Sequence, residues 1–445
     1  MRRLPFALAF VVAPLLVGTV FMVSVFLELL VRNPPPPLDA SAPRPTAVWA
    51  GSQDPAGPMA IVWIPASGAQ LTELALAWQT VAATGRYRMM AVAESDGVQR
   101  TSSSVGLLAH TTLARAPHPS LLILPSHLGI ITEVERNWIA QAAGQARTVL
   151  ALGTAVGALL ESGAPPKDLE ITTHFLARRS VEPHYPGARW NWDHPWIRRG
   201  KWVTGWGLLR TPDATAAALA ADLAPKGAAV PDAEGPPAEG DPPARGFSLS
   251  EWASLWLNGG FGWGRENVGV VLQPGVSDVG VAALLDVWPR SMGIRVVTLS
   301  DKRYPVVGRT GLIWVPAIAT AQSPGLDRLL VPGGASPLQA GGRRAEPWGP
   351  VDPPSTGPGP GAEAYRQALA ELRVRRGSVS HWVEHVLLSP FLGLPETHFP
   401  NGAEWHFLLR ALGVALLGMA YVRLLRRREW SKPRSPQPLN ERSLP

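Results

Sequence analysis

The sequence predicts an α/β protein with two similar units, placed between long apolar segments near the two ends of the chain. Short apolar runs alternate with stretches of helical periodicity, which is typical of a mostly parallel sheet covered on both faces. Motifs of residues 59–224 recur in residues 247–390 at a nearly constant spacing. Segments 5–31 and 405–425 are each long enough for a helix to cross a bilayer.

The first unit shows its elements most clearly. Leu71, Leu74, Ala75, Trp78 and Val81 recur at helical spacing, whereas the neighbouring apolar runs are short and continuous, as in buried strands. We therefore expect strands over 60–64, 87–92, 120–124 and 148–152, and helices over 71–84 and 133–146.

An internal repeat connects the two units. Gly68 corresponds to Gly275, and Arg88 to Arg295, each at a spacing of 207 residues. Gly106-Leu107 aligns with Gly311-Leu312 across an assumed two-residue gap, and Leu124-Pro125 returns to the first spacing. We interpret this pattern as a duplication.

Segments rich in Pro, Gly and Ala set the boundaries of the units. Residues 33–58 are predicted to form a stalk and residues 225–246 a linker. The second unit, 247–390, is expected to be truncated, because a Pro/Gly insert at 334–362 replaces part of it. A final helix is expected within 363–390.

The composition excludes several kinds of site. The 445 residues include no cysteine, so disulfides, thiolate metal sites and thiol nucleophiles are excluded. The net charge of +7 is concentrated near the two ends of the chain, which leaves the middle nearly neutral. We therefore expect no nucleic-acid partner. No zinc-ligand pair or phosphate-binding loop is present, and we expect no metal or cofactor.

The two end segments predict a membrane protein. Segment 5–31 carries one charge, Glu28, and exceeds the ~7–15 apolar residues of a cleaved signal peptide, which is the alternative interpretation. Segment 405–425 contains Arg410 and Arg423, so an amphipathic or core helix is its alternative. Arginines precede the first segment, and the basic tail 426–445 follows the second. The positive-inside rule then predicts a two-pass protein of the inner (cytoplasmic) membrane, with cytoplasmic termini and extracytoplasmic units.

The first unit carries, in this order, the motifs IVWIPASGAQLTELALAW, YRMMAVAES, GVQRTSSSVGLLAHTTL, PSLLILPS, TVLALGTAVGALLESG and ITTHF. This series resembles the PfpI-like (class I glutamine amidotransferase-like) family, in particular the branch found at the N-terminus of AraC-type regulators. The resemblance implies two flavodoxin-like sandwich units, of which the second is truncated. No helix-turn-helix follows, which argues against a transcriptional regulator.

The resemblance also implies where a site would lie. Active family members carry a cysteine on a sharp strand-to-helix turn, the nucleophile elbow, which here falls at 152–155. Gly153 occupies the cysteine position, and Thr154 is the nearest hydroxyl. The family's acidic residue corresponds to Glu73, and its histidine to His174. We therefore expect no catalytic residue and no enzyme activity, and we expect Glu73, Gly153, Thr154 and His174 to form any surviving ligand site.

Several functions remain open from the sequence. The preferred one is a non-catalytic, membrane-anchored module that binds a small ligand, a protein partner or a second copy, with a sensor or assembly role. The alternatives are a hydrolase or amidase with a non-cysteine nucleophile, such as Thr154, and a membrane-bound regulator without its DNA-binding domain. The tryptophan-rich segment 190–206 predicts a hairpin with its turn at 198–201, and an exposed aromatic surface is the alternative.

Overall fold

The computed structural model describes residues 50–51, 54, 56–174, 181–207, 210–225, 231–237, 266–291, 293–334, 336–349 and 360–376. Within these ranges, no helix combines the length and apolarity needed to cross a bilayer. The predicted membrane segments 5–31 and 405–425 lie outside the described residues.

Twelve of the described strands precede residue 210. Up to residue 235 they are β1 (Ala50–Gly51), β2 (Met59–Trp63), β3 (Arg88–Ala93), β4 (Val98–Gln99), β5 (Gly106–Leu108), β6 (Thr111–Thr112), β7 (Leu121–Leu124), β8 (Thr148–Leu152), β9 (Glu170–Ile171), β10 (Arg189–Trp190), β11 (Trp196–Arg199), β12 (Trp202–Gly205) and β13 (Ala233–Glu234). From residue 266 they are β14 (Glu266–Val271), β15 (Ile294–Ser300), β16 (Val306–Val307), β17 (Ile313–Val315), β18 (Ile318–Ala319), β19 (Arg328–Pro332), β20 (Gln339–Ala340), β21 (Arg343–Arg344) and β22 (Glu346–Trp348).

Six helices cover the sheets in the described part of the chain. They are α1 (Leu71–Ala82), α2 (Glu133–Gln145), α3 (Ala155–Glu161), α4 (Thr211–Asp222), α5 (Asp278–Val287) and α6 (Pro360–Arg376). Helix α2 begins with a capping box, in which Thr132 and Glu135 each bond the other's backbone N–H. The expected strands and helices of the first unit are confirmed to within two residues at each end.

The first sheet has a parallel centre. Its strands lie in the order β3-β2-β7-β8-β12, and each neighbouring pair is parallel. Counted along the chain, the order is 2-1-3-4-5, which is the strand order of flavodoxin-like sheets. Strand β1, from the predicted stalk, adds to one edge, and β11 and β13 add to the other, all antiparallel to their neighbours. The mixed α/β class with parallel sheets is thus confirmed.

The second sheet repeats the beginning of this order. Strands β18-β15-β14-β19-β22 are all parallel to their neighbours. Three strands and one helix each begin 207 residues before an element of the same type, namely β2 and β14, β6 and β18, β7 and β19, and α1 and α5. Within the predicted insert 334–362, β22 pairs with β19 as β8 pairs with β7.

A separate four-stranded sheet, β16-β17-β5-β4, joins the two parts of the chain through one antiparallel pair, β17 with β5. Leu107 of β5 faces Trp314 of β17, and the flanking pairs are Leu108 with Ile313 and Gly106 with Val315. The spacing from Leu107 to Trp314 is again 207 residues, so the strands keep this spacing without a gap. The two-residue gap assumed at Gly311 was therefore wrong. Gly311 has a φ of +96° and lies in the turn before β17, where glycine is favoured for its backbone conformation rather than as the equivalent of Gly106.

Helices α1 and α5 pack together beside this strand pair. All ten residues of α5 are buried, as are nine of the twelve in α1, because both helices are apolar on nearly every side. The Trp78 indole of α1 donates to the Thr310 carbonyl across the junction (2.7 Å). Thr310 also donates to buried Asp278 at the start of α5, where burial raises the pKa of that carboxyl to about 6.

Candidate functional site

The predicted elbow is present between β8 and α3. The strand ends at Leu152 and the helix begins at Ala155. Gly153 between them has a φ of +49°, a left-handed conformation that glycine adopts without steric cost. Its N–H donates to the Gly205 carbonyl of the next strand (2.9 Å) and holds the turn at the carboxyl edge of the sheet.

Ser126 fills the space beside Gly153. A Cβ atom built on Gly153 would lie 2.1 Å from the Ser126 Oγ, which is far inside contact distance. The Ser126 hydroxyl accepts from the Thr154 N–H (3.0 Å) and points its proton toward the Glu73 Oε1 (3.1 Å) and the Leu152 carbonyl (3.2 Å). A side chain at position 153 is therefore excluded while Ser126 keeps this position.

Glu73 lies in the same closed network. Its carboxylate, on a side chain only 2% exposed, accepts from the Ser126 N–H at Oε2 (2.7 Å). A Cβ on Gly207 would lie 2.1 Å from the Glu73 Oε1. The carboxylate thus occupies a slot between two glycines, and its charge is stabilised by donors from the end of β7.

Thr154 is held by the backbone. Its hydroxyl donates to the His127 carbonyl (2.9 Å) and accepts from the His127 N–H (3.0 Å). A threonine nucleophile needs a base that takes its proton. In this geometry the proton goes to a carbonyl oxygen, so nothing in these contacts activates the hydroxyl.

His174 follows a segment that packs on the elbow. Thr173 donates through Oγ1 to the Gly153 carbonyl (2.6 Å), and the Trp206 indole donates to the Thr172 Oγ1 (2.9 Å). His174 itself is 7% exposed. Of the four predicted ligand residues, Gly153 and Thr154 follow β8, His174 follows β9, and Glu73 lies in the first turn of α1. A ligand role for them remains a prediction.

Sequence reasoning did not identify Ser126. The spacing of 207 residues offered a signal, because it pairs position 126 with Gly333, where φ is +68°. The same spacing pairs Glu73 with Gly280, where a Cβ atom would lie 2.9 Å from the Pro332 Cβ. The filled network of the first unit thus has no counterpart in the second.

The tryptophan-rich segment forms the expected hairpin with a shorter turn. Arg198 and Arg199 belong to β11, and only Gly200 and Lys201 connect it to β12. Trp190 and Trp192 lie outside the hairpin, contrary to the prediction, and stack on each other with ring centroids 5.3 Å apart. A two-residue turn suffices because Gly200 adopts a positive φ of 57°.

An open cleft of about 730 Å³ lies beside this hairpin, and no predicted site residue lines it. Its charged residues are Asp168, Glu170, Arg189, Arg199, Asp232 and Glu234. Arg199 donates to both Glu170 and Glu234. Hydrogen bonds from Asn191 and Arg199 lower the pKa of Glu170. The charges at the centre of the cleft are therefore paired within the chain.

The filling of the elbow can be tested with an introduced thiol. Gly153→Cys alone should lower the thermal midpoint by several degrees, since it adds a clash with Ser126 to a left-handed backbone. Combining it with Ser126→Gly should recover part of that loss and give a thiol that iodoacetamide alkylates. Mass spectrometry counts the adducts directly in this cysteine-free chain, and Ser126→Gly alone is the control. A Gly153→Cys protein as stable as wild type would show that Ser126 does not fill the site.

No protein-family model and no curated protein matches the sequence. Solved structures similar to part of the chain include a THiJ/PfpI family protein from Pseudomonas syringae (16% identity, 42% of this chain and 76% of that chain, TM-score 0.32). DJ-1 from Schizosaccharomyces pombe is 17% identical, and the match covers 38% of this chain and 93% of that chain with a TM-score of 0.32. A ThiJ/PfpI domain protein from Brachyspira murdochii is 14% identical, and the match covers 36% of this chain and 94% of that chain with a TM-score of 0.32. At these TM-scores the likeness carries no argument, and the fold class stated above rests on the strand order.

Proposed function

We propose that this protein is a non-catalytic PfpI-like pseudoenzyme that acts as a membrane-anchored module for binding a partner. The observation that carries the proposal is the filled elbow. Gly153 supplies no nucleophile, and the Ser126 side chain occupies the space that a nucleophile's Cβ would need. Because the hydroxyl of Thr154 is bonded to backbone on both sides, the nearest substitute is also unsuited to attack.

The same geometry favours a protein partner over a small ligand at the elbow. A ligand that contacts Glu73 and Gly153 would have to displace the Ser126 hydroxyl and break its bonds with Glu73 and Thr154. Breaking such buried bonds costs about 1–3 kcal/mol each. A sensor that binds a small molecule at this site would need to recover that cost.

The two units support an assembly role. The shared spacing of 207 residues supports a duplication, and the second unit keeps the strand order of the first without its carboxylate or serine. On this proposal, both are flavodoxin-like units, and the truncated second one serves as a scaffold. No observation of the site requires it to react with anything.

The proposed location rests on the sequence alone. Apolar segments 5–31 and 405–425, each flanked by arginines, support a two-pass protein of the cytoplasmic membrane with both units outside the cytoplasm.

Topology can be measured with a reporter. Alkaline phosphatase fused near residue 240 should be active, because the proposed orientation places the linker 225–246 outside the cytoplasm. A fusion after residue 430 should be inactive and is the matched control. An inactive fusion near residue 240 would overturn the proposed orientation.

A second function has one observation in its favour. The Ser126 Oγ lies 3.1 Å from the Glu73 Oε1, which is within reach for a serine hydroxyl and a carboxylate base. This arrangement would suit a hydrolase with a non-cysteine nucleophile, although the hydroxyl also accepts the Thr154 N–H, which lowers its nucleophilicity.

Activity assays separate the two functions. The full-length protein in mild detergent should turn over ester, amide and methylglyoxal substrates no faster than the buffer does. Ser126→Ala and Thr154→Ala should give the same background rate, since neither hydroxyl acts as a nucleophile. A turnover rate that falls about tenfold or more in either variant would instead identify a hydrolase.

A further inference from the structure

Asp286, near the end of α5, reaches across the junction to the first unit. Its side chain is 3% exposed. The Oδ2 atom accepts from the Thr72 N–H (2.8 Å), the Thr72 hydroxyl (2.5 Å) and the Gln70 Nε2 (3.3 Å). The Oδ1 atom accepts from the Ser102 hydroxyl (2.6 Å). All four of these donors belong to the first unit.

These bonds cap the N-terminus of α1, which has no side-chain cap from its own N-cap residue. The residue before α1, Gln70, makes no side-chain cap. The Leu71 N–H donates to the Ser102 Oγ (3.0 Å), and the Thr72 N–H donates to Asp286 directly. The carboxylate therefore satisfies the first turn of α1, once directly and once through Ser102, and a negative charge is favourable at this end of a helix.

Glu73 is the next residue of that turn. Its carboxylate must fit between Gly153 and Gly207 while it accepts from the Ser126 N–H. This slot tolerates little movement, because a Cβ atom on Gly207 would lie 2.1 Å, and one on Gly153 3.2 Å, from the Glu73 Oε1. Any loosening of the first turn would therefore move Glu73 away from Ser126.

We propose that Asp286 is a positioning residue through which the second unit keeps the elbow of the first unit filled. With the cap in place, Glu73 holds Ser126 beside Gly153. When the cap is released, the first turn of α1 loosens, the network between Glu73 and Ser126 opens, and the space beside Gly153 becomes accessible. The junction between the units thus controls access to the space beside Gly153, whether or not the protein is catalytic.

Hydrogen–deuterium exchange of the full-length protein in mild detergent tests this coupling. In Asp286→Ala, amides of residues 71–74 should exchange about tenfold faster, as loss of charged hydrogen bonds implies. The Ser126 and Thr154 amides should also exchange faster, because they donate to Glu73 and to Ser126. Amides of β2 should keep their protection relative to the rest of the core.

Asp222→Ala is the matched control. Asp222 is equally buried, at 3% exposed, and accepts from the Tyr87 and Ser120 hydroxyls of the first unit. This change should lower overall stability without selective exchange at residues 71–74, 126 and 154. If Asp286→Ala speeds exchange in residues 71–74 but not at the Ser126 and Thr154 amides, the proposal is overturned. It is also overturned if Asp222→Ala speeds exchange at the same amides as Asp286→Ala does. If Asp286→Ala does not fold, Asp286→Asn should show the same pattern with a smaller increase, and its absence would equally overturn the proposal.

Discussion

The antiparallel pairing of Gly106–Leu108 with Ile313–Val315 is the interaction on which the remaining architecture depends. It merges the hairpins of the two units into a single four-stranded sheet and places Leu107 opposite Trp314. This register brings α1 against α5, so that two helices with almost no polar face are both buried. Separated units would expose the apolar side chains of both helices, and exposed apolar area costs about 25 cal/mol per Å².

The same junction connects architecture and site. Helix α1 carries Glu73 in its first turn, and that turn is capped by Asp286 of α5. At the other end of the network, Ser126 and Gly153 are complementary, because the Ser126 side chain occupies the space beside Gly153, which has no side chain. The result is a hydrogen-bonded filling rather than an empty pocket. A filled elbow is compatible with binding through the outer surface and requires no chemistry.

Local features were predictable from the sequence, and contacts between distant segments were not. The strands and the helix expected over 71–84 follow from apolar periodicity, and the helix is observed over Leu71–Ala82. The turn at 152–155 was located only through the family resemblance. Ser126 escaped notice because its contact with Gly153 depends on two strand ends meeting at one sheet edge. The capping role of Asp286 could not be predicted, because it depends on the packing of α5 against α1. Trp190 lies in β10 and Trp192 lies beyond it, because alternation alone does not specify which strands pair in a hairpin.

The central claim is that the two units pair within one chain, and paired cysteines test it most directly. In an antiparallel pair, Cα atoms of facing residues lie about 4.5 or 5.5 Å apart, within the range that a disulfide spans. Leu107→Cys with Trp314→Cys and Leu108→Cys with Ile313→Cys are adjacent pairs, so one of them has the shorter separation. On oxidation, at least one double variant of this cysteine-free chain should form a disulfide within the monomer, while the single variants remain alkylatable. Disulfide-linked dimers, or free thiols in both double variants, would contradict the account.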